Sequence, residues 1–262
     1  MNKLALHVTA ISLLLAGAAS AADLRRPAPV KAPPPIVPVG YNWTGCYVGA
    51  GGGYGMYDQE SRYQGGVQNP GSTSLQNDNG GRGWFGTVQV GCDYQVGSSI
   101  VIGAFADYDF SGLKGDMAFP HFAVVGEEKL RNSWAAGGRI GWLPFQDRLL
   151  VFVSGGYTQA RFKQVNYFFA GSGNLSEFAL AKNTYDGWFI GTGYEYGIGF
   201  LPGLFWKTEY RFADYGREDV ALLDFPSGTP RGDFIESRKY VHTVRSELVW
   251  RFNFGGPVVA RY

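Results

Sequence analysis

The chain has 262 residues, a net charge of +1, 16% aromatic and 17% charged side chains, and 39 glycines. A nearly neutral balance excludes bulk electrostatic attraction to nucleic acid. Abundant glycine beside abundant aromatics, with no long apolar run beyond the N-terminus, points away from helices and toward many strands joined by tight turns.

Residues 1–21 read as a secretory signal peptide. Lys3 supplies the positive start, Ala10 to Ala18 the short apolar stretch, and Ala19-Ser20-Ala21 the small-x-small pattern that places cleavage after Ala21. The apolar stretch is well short of the ~20 residues of a spanning helix. Residues 22–40 carry Arg25, Arg26 and Pro33-Pro34-Pro35 and read as an extended, proline-rich periplasmic linker that cannot pair into a sheet. It is a spacer or a contact to the cell wall. Residues 41–262 remain as one domain.

Eight segments of that domain alternate in polarity with period two, as strands with two unlike faces do. The first is Trp43 to Met56, with Cys46, Val48, Ala50 and Tyr54 outward and Gly49, Gly51 and Gly53 inward. The second, Trp84 to Val96, sets Val88, Val90, Cys92, Tyr94 and Val96 against Gln89, Asp93 and Gln95. The third, Ile100 to Phe110, sets Ile102, Tyr108 and Phe110 against Asp107 and Asp109. The fourth, Lys129 to Trp142, has Trp134, Ile140 and Trp142 outward and Arg139 inward; the fifth, Arg148 to Lys163, has Leu149, Val151, Val153 and Tyr157 outward. The sixth is Thr184 to Tyr196, with Trp188, Ile190, Tyr194 and Tyr196 against Glu195. In the seventh, Leu204 to Tyr215, Trp206, Thr208, Tyr210 and Phe212 face Lys207, Glu209 and Arg211 across the strand. The eighth, Thr243 to Phe254, sets Val244, Leu248, Trp250 and Phe252 against Arg245, Glu247 and Arg251.

Connections between these segments alternate long and short. The long ones are 60–83, 111–128, 164–183 and 216–238; the short ones include Gly97-Ser98-Ser99 and Gly197 to Gly203. An even strand count puts both termini on the side of the short turns. The expected fold is an all-β, eight-stranded antiparallel up-and-down transmembrane β-barrel with four long extracellular loops and short periplasmic turns.

Alternation alone is shared with soluble barrels, so polarity must decide. The outward set is Val, Ile, Leu, Trp and Tyr; the inward set is Gly, Ser, Thr and charge. Aromatics recur near segment ends (Tyr54, Trp84, Tyr94, Trp134, Trp142, Tyr196, Trp206, Tyr215), as interfacial girdles require. The greasy face therefore meets lipid. The inward charges are Asp93, Asp107, Asp109, Glu195, Glu209 and Glu247 against Arg139, Lys207, Arg211, Arg245 and Arg251. So balanced a set in a lumen this narrow is expected to close into salt bridges with a little water. A gated polar path for small solutes is the alternative.

Two cysteines, Cys46 and Cys92, share the outward face of neighbouring strands. Pairing Gly55 with Gly83 sets them opposite each other, as a cross-strand disulfide in the oxidising periplasm or as two free lipid-facing thiols. The glycine run Gly51-Gly52-Gly53 leads into no helix and is not a nucleotide loop. No paired acid–base site and no Cys/His metal spacing is recognisable, so neither catalysis nor a cofactor is expected. Tyr63, His121, Tyr167 and Tyr185, in the long connections or beside them, are candidates for an exposed haem or host-ligand site, against a reading as plain solvated loops.

The placed strands carry a family resemblance. Trp43-Thr44-Gly45-Cys46-Tyr47-Val48-Gly49, Asp107-Tyr108-Asp109-Phe110, Glu209-Tyr210 and the tail from Arg251-Phe252 to Tyr262 resemble the Omp25/RopB-type outer-membrane proteins of alphaproteobacteria, within the OmpA-like and opacity-type eight-stranded barrels. The resemblance covers nearly the whole mature chain. It implies an abundant surface barrel that supports envelope integrity, and the chain is expected to act as a monomer. Its partners would be outer-membrane lipid, lipopolysaccharide and, through the C-terminal strand, the assembly machinery; some relatives are porin-like or haemin-binding. Glu247 departs from the glycine that the usual assembly signal prefers, and a tail follows Phe254.

Overall fold

A computed structural model describes residues 41–66, 70–119, 123–144 and 148–252. The expected signal peptide, linker and C-terminal tail, and His121, lie outside the described residues. Eleven strands form among those described: β1 Gly45–Gln64, β2 Asn77–Val96, β3 Ile100–Ser111, β4 Lys114–Ala118, β5 Val124–Trp142, β6 Leu149–Phe162, β7 Val165–Phe169, β8 Leu175–Leu180, β9 Asn183–Gly197, β10 Leu204–Asp224 and β11 Pro230–Phe252. The sequence reading expects eight. All ladders are antiparallel, and they run β1–β2–β3–β5–β6–β9–β10–β11. The last of these strands then pairs with the first, from Cys46↔Phe252 to Gln64↔Phe234. Eight strands thus make a closed circuit, while β4, β7 and β8 pair onto its rim.

Strands of 19 to 23 residues, such as β1, β2, β5, β10 and β11, are about twice what a tilted membrane crossing needs. The surplus lies in the connections expected to be loops. Glu60 pairs with Asp78 and Ser61 with Asn77 inside the first, and Glu218 pairs with Ser237 inside the last. The second and third hold β4, β7 and β8.

The reason these segments escape a polarity-based reading is a switch along the strand. From Tyr54, Trp84, Trp134, Tyr157, Trp188 and Tyr210 downward, the outward side chains are apolar, among them Val88, Val90, Ile102, Ile140, Val153, Ile190, Val244 and Leu248, all well exposed. The inward ones there are largely charged. Beyond that line most outward positions turn polar, with Asp58, Arg62, Arg82, Lys114 and Glu127 exposed among a few apolar ones such as Val125, Phe168 and Phe234. The inward ones become apolar: Leu113, Met117, Val124, Leu130, Val165, Phe178, Leu222 and Ile235 are buried together. The upper part of the sheet is therefore a water-surrounded cap with an ordinary apolar core, continuous with a lower part of opposite polarity.

One girdle assignment is overturned. Tyr215 is buried at 4% exposure, on the same inward parity as Glu209 and Arg211, and its hydroxyl lies 3.2 Å from that of Thr158. The β10–β11 register shifts just after Asp214, at Gly216 with φ +65°. The remaining aromatics read as girdle residues are outward and exposed or half-buried.

An arginine forced onto the lower outward face tests the switch. Val90→Arg should lower stability in lipid vesicles by about 2–4 kcal/mol. Leu75→Arg, in the cap connection and 90% exposed, should stay within about 0.5 kcal/mol. Urea unfolding followed by gel migration of unheated samples reports both.

Candidate functional site

The lumen of the lower ring collects the charged residues singled out from sequence, each carried inward by the parity of its strand. Two clusters result. Nearest the chain's lower end, Arg139 from β5 donates to Asp93 of β2 at 2.9 Å and to Glu195 of β9 at 3.1 Å. Arg251 from β11 reaches the same two carboxylates, at 2.7 Å each. Two guanidiniums and two carboxylates thus tie β2, β5, β9 and β11 across the ring.

Above it, Lys207 lies 2.9 Å from Glu209 and 3.6 Å from Glu247 and donates to Gln89 at 2.9 Å. Arg211 makes a two-pronged contact with Asp107, at 3.0 and 2.9 Å. Arg245 joins Asp107 at 3.2 Å to Asp109 at 3.0 Å. Ser154 donates to Glu209 at 2.7 Å. The arrangement brings together all eleven lumen charges named from the sequence, and all are buried.

Packing lets so many long side chains share a narrow space. A Cβ at Gly103 would lie 1.9 Å from an Asp93 carboxylate oxygen, and one at Gly53 would lie 2.6 Å from the Phe85 ring. The inner face is also richer in aromatics than the sequence reading expects. Phe105, Phe152, Phe189 and Phe205 point inward, and the cations stack on these and neighbouring rings. Arg211 lies 4.3 Å from the Phe189 centroid, Arg251 4.7 Å from Trp43 and Arg139 4.8 Å from Tyr47. Such stacking compensates cations that have left water. Phe105, Phe189 and Phe205 share the parity of the lumen charges on their own strands, and Phe152 alternates with the outward Val151 and Val153, so parity is the signal in the sequence.

A third cluster escapes the sequence reading because it lies beyond the expected strand ends. Lys239 of β11 bridges to Glu128 of β5 at 2.7 Å and hydrogen-bonds Gln59 of β1. The rings of Phe162 and Tyr185 lie 4.4 and 5.0 Å from its ammonium. The cluster sits in the cap, and burial pulls the Lys239 pKa below the usual lysine range, against Glu128, which raises it.

Between the second cluster and the cap core lies a cavity of about 30 Å³, lined by Asp107, Asp109, Ser133, Thr158, Tyr215, Thr243 and Arg245. That is room for one or two water molecules. The tyrosines considered for an exposed ligand site are inside the cap: Tyr63, Tyr167 and Tyr185 are 2%, 0% and 1% exposed. The Tyr63 hydroxyl donates to Asp233 at 2.9 Å, and Tyr167 packs against Phe119 and Phe178. Cys46 faces Cys92 in the β1–β2 ladder, as Gly55 faces Gly83, and the two sulfurs are bonded.

A sheet closed on itself, greasy outward between two aromatic belts and ionic inward, defines a membrane β-barrel. The chain belongs to the outer membrane protein beta-barrel domain family, whose model matches residues 9–252. It is 28% identical over 262 residues to the 31 kDa outer-membrane immunogenic proteins of Brucella melitensis biotype 1 and Brucella suis biovar 1, covering 94% of this chain and 98% of each relative. The protein is thus an Omp25-like protein of the cell outer membrane. Among solved structures it is similar to Neisserial surface protein A (14% identity, TM-score 0.39, covering 80% of this chain and 98% of that one). It is also similar to a major outer membrane protein of Thermus thermophilus (12% identity, TM-score 0.42, covering 77% and 99%).

Breaking one buried ion pair and one covalent bond tests the energetics. Lys239→Met strands Glu128 in an apolar surround and should cost about 3–5 kcal/mol, most of it recovered when Glu128→Gln is added. Reducing Cys46–Cys92, 46 residues apart, should cost up to about 4 kcal/mol from loop closure. Urea titration of the folded protein in vesicles measures each.

Proposed function

We propose that this chain is a structural barrel of the outer membrane. The closed circuit of eight strands spans the bilayer, the cap faces the exterior, and the lumen is plugged rather than conducting. The observation that carries the reading is the lumen itself. Two ionic clusters, tied across the ring and interleaved with phenylalanines, leave a cavity of about 30 Å³. Opening a path would separate buried charges from their partners, which is costly for each pair broken. In this role the protein stabilises the envelope without catalysis. It sits as a monomer in lipid and lipopolysaccharide, inserted by the assembly machinery through β11, with the proline-rich segment as a spacer or cell-wall contact.

Two alternatives separate cleanly. A porin-like channel requires an open lumen. A haem or host-ligand receptor built on Tyr63, Tyr167 and Tyr185 requires side chains that are buried here. Planar-bilayer recordings of the purified protein should give no steady open level, whereas Arg211→Ala with Arg245→Ala should produce one. A steady conductance in the unaltered protein contradicts the plugged reading. An epitope inserted at Gly171 in the β7–β8 turn should be bound by antibody on intact cells, and access only after permeabilisation would reverse the orientation.

A further inference from the structure

Outside the ring, Arg131, Arg161, Lys163 and Lys182 line a surface depression of about 650 Å³. All four lie at the surface, and none makes an ion pair among the described residues. Local structure puts them together. Arg161 and Lys163 continue the outward row of β6 above Tyr157 and Gln159, in strand and just past its end. Thr184 of β9 stands opposite Arg161, which places Lys182 beside the same row. The β5–β6 register shifts between Leu130 and Asn132, and the extra residue, Arg131, turns outward into the same depression.

Three features distinguish this patch from a solvated charged face. First, its height is set by the girdle. Tyr157, Trp134 and Trp188 are neighbours across β5, β6 and β9, and Arg161 lies four residues beyond Tyr157, roughly 10 Å higher at the usual strand tilt. That is the depth of lipid headgroups. Second, its cations outnumber the acids beside it. None of the four has an ion-pair partner among the described residues; Asp186, in the row below, accepts from the neutral Tyr157 and Gln159 and offsets one charge at most, and Glu127 is bridged to Lys114 at 2.9 Å. On the opposite flank, in the upper halves of β10 and β11, the cations are closed by partners, Arg217 with Glu236 at 2.9 Å and Arg238 with Asp214 at 2.8 Å. Third, the patch is concave, and arginine forks match phosphate oxygens two at a time.

We propose that this depression docks the phosphate groups of an outer-leaflet glycolipid, whose acyl chains lie along the apolar face below. The inference rests on the reading that the cap faces the exterior. It gives that barrel a fixed lipid on one side only, between β5 and β9.

The test uses the folded, full-length mature protein in nanodiscs of phosphatidylcholine doped with bisphosphorylated lipid A or its dephosphorylated form. Bound lipid is counted by native mass spectrometry. The bisphosphorylated form should be retained, and the triple variant R161Q/K163Q/K182Q should retain at least about tenfold less while keeping its heat-dependent gel shift. R217Q, on the opposite flank, should behave as the unaltered protein. Equal retention by the triple variant, equal retention of dephosphorylated lipid A, or a preference for soluble tripolyphosphate over the lipid overturns the proposal. The Gly171 epitope, scored on cells, separates the two readings. Surface exposure with unchanged lipid retention removes the docking site alone, and exposure only after permeabilisation removes both.

Discussion

In hydrocarbon no water is present to satisfy a backbone N–H or C=O, so a sheet that crosses a membrane must close on itself. The β1–β11 seam is where this chain meets that requirement, with partners from Cys46↔Phe252 through Gln64↔Phe234. Closure fixes everything downstream. Once the strands form a ring, period-two alternation sends every second side chain into a space too narrow for a pore. The chemistry of that inner set then decides whether the lumen is a core, a channel or a plug.

Polarity along the strands is the second organising fact. Below the belt containing Trp84, Trp134 and Trp188 the outward face is apolar and the inward face ionic. Above it the outward face is polar and the inward face is built on Leu113, Met117, Phe178 and Ile235. The same backbone therefore serves two solvents. In the lower part burial is driven by lipid around the ring and by ion pairs within. In the cap it is driven by the removal of apolar surface from water, as in any soluble domain. Lys239 and Glu128 stand in the cap as a single buried pair, where the cost of desolvation is met by one strong partner and aromatic rings.

The lower half was legible because its two faces differ so sharply in composition. The parity of Arg139, Glu195, Lys207, Glu209 and Arg211 follows from alternation alone, and a turn-defined register places Cys46 opposite Cys92. What escaped did so for a physical reason. Residues 57–64, 77–83 and 230–241 have largely polar side chains outward, so a search for greasy outward stripes ends at Met56 and Val244, although the ladder continues. The same rule hides Glu128 and Lys239 and leaves Tyr63 and Tyr167 as surface candidates when their ladders turn them inward, whereas Tyr185 already shares the inward parity of Glu195. Tyr215 lies near a strand end, which suggests the girdle, but its odd number places it with Arg211. The inward phenylalanines are readable from parity, although composition alone suggests a purely polar lumen.

The fold depends on where each face meets its solvent. Single spin labels at positions 90, 190, 58 and 62, in the folded protein in lipid vesicles, measure this directly through collision with oxygen, which partitions into lipid, and with an aqueous nickel chelate. Labels at 90 and 190 should favour oxygen and labels at 58 and 62 should favour nickel, with 58 and 90 on paired strands. Nickel access at 90 and 190, or oxygen preference at 58 and 62, would contradict the account.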